Sequence, residues 1–198
     1  MDTLRNRARR ARGLRRGFTM VEVAVATGVM VVGVVGMAGA VAASVKLVDA
    51  NRERIAAHQA ARAILEQMQD GDFGDTFAEF NADPSDDPGG AGTGRGSSFD
   101  VPGLRVSEWA RNHGQGGGAA VGAGAVGGIE FPTLADGRLS ESIDDPDLGM
   151  PRDLNGDGVI STGALTGGYL VLPVRIRVAW EGPTGPKSIT LRTLMVNR

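Results

Sequence analysis

Residues 23–45 read VAVATGVMVVGVVGMAGAVAASV, twenty-three positions without a charge. The only polar side chains in the run are Thr27 and Ser44. As a helix it would rise about 35 Å, enough to cross hydrocarbon of about 30 Å. A core helix of a small soluble domain keeps polar positions on one face. This run is apolar all round, so lipid or a protein bundle must surround it.

Working outward, charge is distributed unevenly on the two sides. The first 17 residues carry seven Arg (Arg5, Arg7, Arg9, Arg10, Arg12, Arg15, Arg16) against one Asp. Residues 18–198 carry 14 basic and 22 acidic side chains. A basic head before an apolar span reads as the cytoplasmic end by the positive-inside rule, with the acidic body exported. A nucleic-acid-binding arm is the other reading of such a head, and the span that follows argues against it. The chain has no Cys and only two His, His58 and His113. That excludes a disulfide scaffold, a thiolate zinc site and a Cys nucleophile.

A secretory signal needs a shorter apolar core, of about 7–15 residues. A twin-arginine signal could use Arg15 and Arg16. Neither accounts for Glu22, an acid at the mouth of the run, where burial of a charge is costly. Gly17-Phe18-Thr19-Met20-Val21-Glu22, after a basic leader and before an apolar helix, resembles the processing signal of type IV pilins and type II secretion pseudopilins. The resemblance implies cleavage between Gly17 and Phe18 by a prepilin peptidase, N-methylation of Phe18 and retention of the helix. Its implied partners are other pilins or pseudopilins, an inner-membrane assembly platform and lipid. No nucleic acid is expected on the leader. Glu22 would pair with the new amine of a neighbouring subunit, leaving neither charge alone in low dielectric. Snorkelling of Glu22 at the membrane surface is the plainer alternative. Gly36-x-x-x-Ala40 and Gly39-x-x-x-Ala43 are spacings that permit close helix approach. Many major pilins bend here at a proline, whereas the first Pro of this chain is Pro84.

Beyond Val45 nothing breaks a helix before Gly71. Ala57, Ala61, Ile64 and Met68 recur at helical spacing and predict a stripe that packs on a sheet. One helix is therefore expected over 18–69, with a transmembrane part over about 23–45. Asp49 and Arg52 stand at a spacing that lets them pair. Residues 70–128 read as Gly/Pro-rich loops with one or two short strands around Phe99, Val101, Leu104, Val106 and Trp109. Residues 112–128 hold eight Gly, without the pattern of a phosphate loop. Ser107, Glu108 and His113 do not make a catalytic triad.

Residues 129–198 form the expected C-terminal β region. Val174, Ile176, Val178 and Trp180 alternate with Arg175, Arg177 and Ala179, which predicts a strand over 169–180. Pro173 confines that strand to an edge or a bulge. The return strand, 188–196, places Ile189, Leu191, Thr193 and Met195 on one face. This last hairpin also resembles that of minor pilins and pseudopilins. The expected fold class is α+β, pilin-like: a long N-terminal helix, membrane-spanning in its lower half, packed on a small C-terminal antiparallel sheet.

Asp153-Leu154-Asn155-Gly156-Asp157-Gly158-Val159-Ile160-Ser161 has oxygen donors at positions 1, 3 and 5, Gly at 6 and an apolar residue at 8. That is the first part of an EF-hand-type calcium loop. Asp153, Asn155, Asp157, the Val159 carbonyl and Ser161 would supply oxygens to a Ca²⁺ ion. Position 12 is Ala164, where the EF-hand has Glu, so Asp144, Asp145 or Asp147 would have to complete the set. A metal-free Asp/Asn/Gly turn is the alternative.

The expected function is that of a minor pilin or minor pseudopilin, a structural subunit and not an enzyme. It would sit in the inner membrane with a single pass and an exported C-terminal domain. The alternatives are a membrane-anchored exported calcium-binding or interaction protein, and an exported enzyme. The last lacks a His, Cys or paired-carboxylate constellation with sensible spacing.

Overall fold

A computed structural model of the chain describes residues 17–106 and 125–197. The arginine-rich leader, and Ser107, Glu108, Trp109 and His113, lie outside the described residues. The chain divides into two compact units, Met1–Val45 and Lys46–Arg198. Helix α1, Met20–Asp70, contributes to both.

In the first unit the helix starts inside the Gly17–Glu22 stretch. Thr19 is its N-cap: Oγ1 accepts the Glu22 amide at 3.2 Å, and the Thr19 carbonyl accepts the first intrahelical bond from Val23 at 3.1 Å. Thr19 and Glu22 thus hold the first and last places of the Thr-x-x-Glu capping pattern. The two hydroxyls of the stem are absorbed by the helix itself. Thr27 donates to the Val23 carbonyl at 2.7 Å, and Ser44 to that of Ala40 at 2.9 Å. No hydroxyl donor is left over to oppose transfer into hydrocarbon.

In the second unit the upper part of α1 packs its expected stripe. Ala57, Ala61 and Met68 are buried and Ile64 is half-buried against the core. Alanine at two of these positions removes side-chain bulk where helix and sheet meet. The other side of that core is a four-stranded antiparallel sheet in the order β1-β2-β3-β4: β1 Ser98–Phe99, β2 Gly127–Glu130, β3 Val171–Gly182 and β4 Gly185–Val196. Val174, Ile176, Val178 and Trp180 are buried in it, as their alternation predicts. The hairpin turns on Pro183 and Thr184 alone, with Gly182 opposite Gly185.

Three features of the second unit differ from the expectation. The stretch 70–128, read as loops with short strands, holds a five-residue helix, α2 Thr76–Phe80, and the whole start of β2. Gly127 belongs to that strand because the Phe99 ring lies where its Cβ would be. A glycine that reads as loop is here the requirement for strand pairing. The β3 strand also extends to Gly182, beyond the expected end at Trp180.

The third difference concerns Pro173, which sits in an interior strand. The ladder explains it. Ala179 donates to the Val126 carbonyl, so odd-numbered amides of β3 point toward β2. The β2 pairing ends at Glu130 opposite Arg175. The nitrogen of Pro173 therefore faces a side where the neighbouring strand has already stopped, and no ladder bond is lost. One step further along, the Leu154 carbonyl accepts both Leu170 (2.7 Å) and Val171 (3.0 Å).

Candidate functional site

The N-terminal stretch is the first candidate. Gly17 and Phe18 precede the helix outside regular secondary structure, and Phe18 is 81% exposed. An unwound, accessible bond beside a residue with no side chain is the form a peptidase can engage. Glu22 is exposed in the first turn of α1, where its charge also opposes the positive end of the helix dipole. The stem that follows is long and apolar enough to cross a membrane, and none of its most apolar window is buried within the chain. Val29, Met30, Val32, Val35 and Met37 are each about two-thirds exposed or more. Soluble chains do not leave that much contiguous apolar surface without a partner.

The acidic loop is the second candidate. Asp153 Oδ1 accepts the Gly156 amide at 2.7 Å and Oδ2 accepts that of Gly158 at 2.8 Å. Asn155 Oδ1 accepts from Asp157 (2.9 Å), and Asp157 Oδ1 from Val159 (2.8 Å). These are Asx turns in series. Gly156 and Gly158 carry positive φ, +79° and +83°, which the tight curl requires. The Gly158 and Gly156 amides hold the Asp153 carboxyl below the ordinary carboxylate range.

Both flanks of the loop are tied by one fully buried residue, Glu141. Its Oε1 accepts Leu154 at 2.9 Å and Asn155 at 3.4 Å, and its Oε2 accepts Ser161 at 2.9 Å. The loop thus gathers Asp153, Asn155, Asp157, Val159 and Ser161 in one turn. Ser161 and Val159 enter it through backbone amides, not yet through the oxygens a cation would need. Two of the three upstream acids are committed elsewhere. Asp145 takes both its oxygens to Arg175 at 2.7 Å, and Asp147 takes Arg192 at 2.8 Å. Among the described residues no three acidic or histidine side chains group closely enough to hold a metal.

Those two ion pairs answer a local problem. Arg175 and Arg192 are direct cross-strand partners, and like charges so placed repel. The 3-10 turn η1, Pro146–Leu148, and its N-cap Asp145 bring an acid to each. Arg175 adds Glu130 at 3.0 Å. Burial works against its charge, but the bonds to Glu130 and Asp145 outweigh that and leave the guanidinium above its ordinary range.

No family model, no curated protein and no solved structure matches this chain.

Its site residues therefore stand on their own geometry. Sequence reasoning missed Glu141, whose flanking Ser140 and Ser142 carry no motif. It also missed Thr19 as a cap, although the signal was present as Thr-x-x-Glu before an apolar run.

Proposed function

We propose that the chain is a minor pilin or minor pseudopilin, a structural subunit processed between Gly17 and Phe18 and assembled through its apolar stem into a filament at the inner membrane. The observation that carries the reading is the conjunction at the start of α1. An exposed, non-helical Gly17-Phe18 pair is followed by a Thr19-capped helix with Glu22 in its first turn, and then by a stem with no cover of its own. After cleavage the Phe18 amine would be a cation beside apolar surface. Glu22 of an adjacent subunit is the natural partner for it. The protein is a scaffold in this reading and catalyses nothing. Mass spectrometry of the native product tests it. An N-methylated Phe18 start is expected. A retained arginine-rich leader would instead support a membrane-anchored exported interaction protein, and a start near Ala43 an ordinary exported one.

A Ca²⁺ ion on the Asp153–Ser161 loop is the second reading. It is favoured by the Asp153–Gly158 bond, which already joins positions 1 and 6 of the EF-hand pattern and leaves lone pairs on each Asp153 oxygen. The affinity would lie in the millimolar range of extracellular modules, roughly 10⁻⁴–10⁻³ M. Calorimetric titration of the full chain in detergent decides it. Absence of heat, together with an unchanged melting temperature in millimolar calcium, would leave the loop as a metal-free turn.

A further inference from the structure

We propose that Asn155 is a site of spontaneous deamidation, and that the Asp153 carboxylate holds the reaction back while the acidic loop stays closed. Neither the filament reading nor the calcium reading enters into it.

Deamidation starts when the main-chain nitrogen that follows an asparagine attacks the side-chain carbonyl carbon. Here Gly156 N would bond to Asn155 Cγ, the Cγ–Nδ2 bond would break, and ammonia would leave carrying the Gly156 amide proton. Water then opens the five-membered imide at either carbonyl, giving aspartate or its β-linked isomer. One water is taken up and one ammonia is released, with no oxidant or reductant. A glycine in the following position leaves the approach open, having no Cβ. Asn155-Gly156 is the one Asn-Gly pair among the 198 residues. The turn requires it. Gly156 has φ +79°, and the Leu170 side chain stands where a Cβ would go. An aspartate at 155 would set a carboxylate against Asp157 Oδ2, to which Asn155 Nδ2 donates at 3.1 Å.

The loop prepares the carbonyl and withholds the nitrogen. Asn155 Oδ1 accepts the Asp157 amide at 2.9 Å, and that is the oxygen on which negative charge develops during attack. Asn155 is half-buried and Gly156 is exposed, so water reaches both. Gly156 N, however, donates to Asp153 Oδ1 at 2.7 Å. To attack, it must give up that bond and its proton, and an amide anion beside a carboxylate is disfavoured by like charge. Asp153 is anchored for this role by its second oxygen, which accepts Gly158 at 2.8 Å. Control therefore sits on one side chain. Conversion would replace a donor by a second acid facing Asp157, so the loop, once converted, would not close again in the same form.

The experiment incubates the full chain in detergent micelles at neutral pH, folded and in urea. Mass spectrometry of the tryptic peptide Asp153–Arg175 follows the gain in mass from amide to acid, and fragmentation separates aspartate from its isomer. The folded chain should convert about tenfold more slowly than the unfolded one, the effect of one hydrogen bond to a charged acceptor. Asp153→Ala should remove that protection in the folded chain and leave the rate in urea unchanged. Asp153→Asn, which keeps an acceptor without the charge, is the second variant should the first unfold, and it should convert at an intermediate rate. Equal rates for the folded and unfolded parent would overturn the proposal. So would folded Asp153 variants that convert no faster than the parent.

Discussion

Trp180 Nε1 donates to Glu53 Oε2 at 2.9 Å, joining the middle of α1 to the far end of β3 across 127 positions. Trp180 is 2% exposed and Glu53 is half-buried. A buried indole needs an acceptor, and a helical acid one turn below Ala57 supplies it. Replacing Glu53 by Ala leaves the indole N–H unpaired. The loss should be about 1–2 kcal/mol, read by chemical denaturation of the full chain in detergent. A double-mutant cycle with Trp180→Phe should find the two changes strongly non-additive.

Ala57 is fully buried where α1 meets the sheet. Ala57→Leu has no room and should cost about 1–3 kcal/mol through displaced neighbours. Ala57→Gly, by contrast, should cost about 1–2 kcal/mol, from helix propensity and the loss of a buried methyl. Thermal melts of both variants check the two costs.

Glu141 accepts three backbone amides in a buried setting. Glu141→Ala leaves the Leu154 and Ser161 amides without their acceptor in a buried setting, and should cost on the order of 3 kcal/mol. Glu141→Gln keeps one acceptor oxygen and should cost less. An Ala variant as stable as the parent would show that water substitutes for the carboxyl.

Acid should weaken the bonds that hold the acidic loop. Asp153 is held below the ordinary carboxylate value of 3.8 by the Gly158 and Gly156 amides, and Asp136 is lowered by Arg138 and Asp83 by Ser85. A lowered folded value means the unfolded chain takes up protons first as pH falls. The stabilisation is therefore complete above about pH 4 and is lost as pH drops through the folded values. At the other end, burial raises Tyr169 above 10.0, with Asp75 and Asp72 adding to it against the Phe77 amide. The folded state then keeps its phenol proton longer, and stability declines as pH rises beyond 10. Melting temperature against pH should show both limbs, and Asp153→Asn should flatten the acid one.

For the stem, Glu22→Gln should leave membrane insertion intact and reduce incorporation into filaments. Fractionation of membranes and sheared filaments reads the two steps apart. Normal incorporation would remove the proposed pairing role of Glu22.

Much of the scaffold was legible because its signals are periodic. The all-apolar run, the helical recurrence of Ala57, Ala61 and Met68, and the two-residue alternation around Ile176 each encode a face, and each was found in its expected place. The expected pair Asp49–Arg52 also forms, at 3.9 Å and largely exposed, where it contributes little. What escaped was set by tertiary partners. Gly127 is a strand residue because Phe99 needs the space, and no local pattern says so. Pro173 reads as an edge residue, yet it lies inside the sheet because β2 is short. In the acidic loop the spacing of Asp153, Asn155 and Asp157 foretold the turn, but the buried carboxyl that secures it comes from Glu141, twelve residues upstream of Asp153.

That clamp has a practical corollary. Since one side chain grips the segment at Leu154 and again at Ser161, the tip from 156 to 160 is bracketed by a staple of its own. It is the natural address for a graft: an epitope tag or a dye-bearing cysteine, unique in a chain that has none, could be inserted there to follow the protein in living cells.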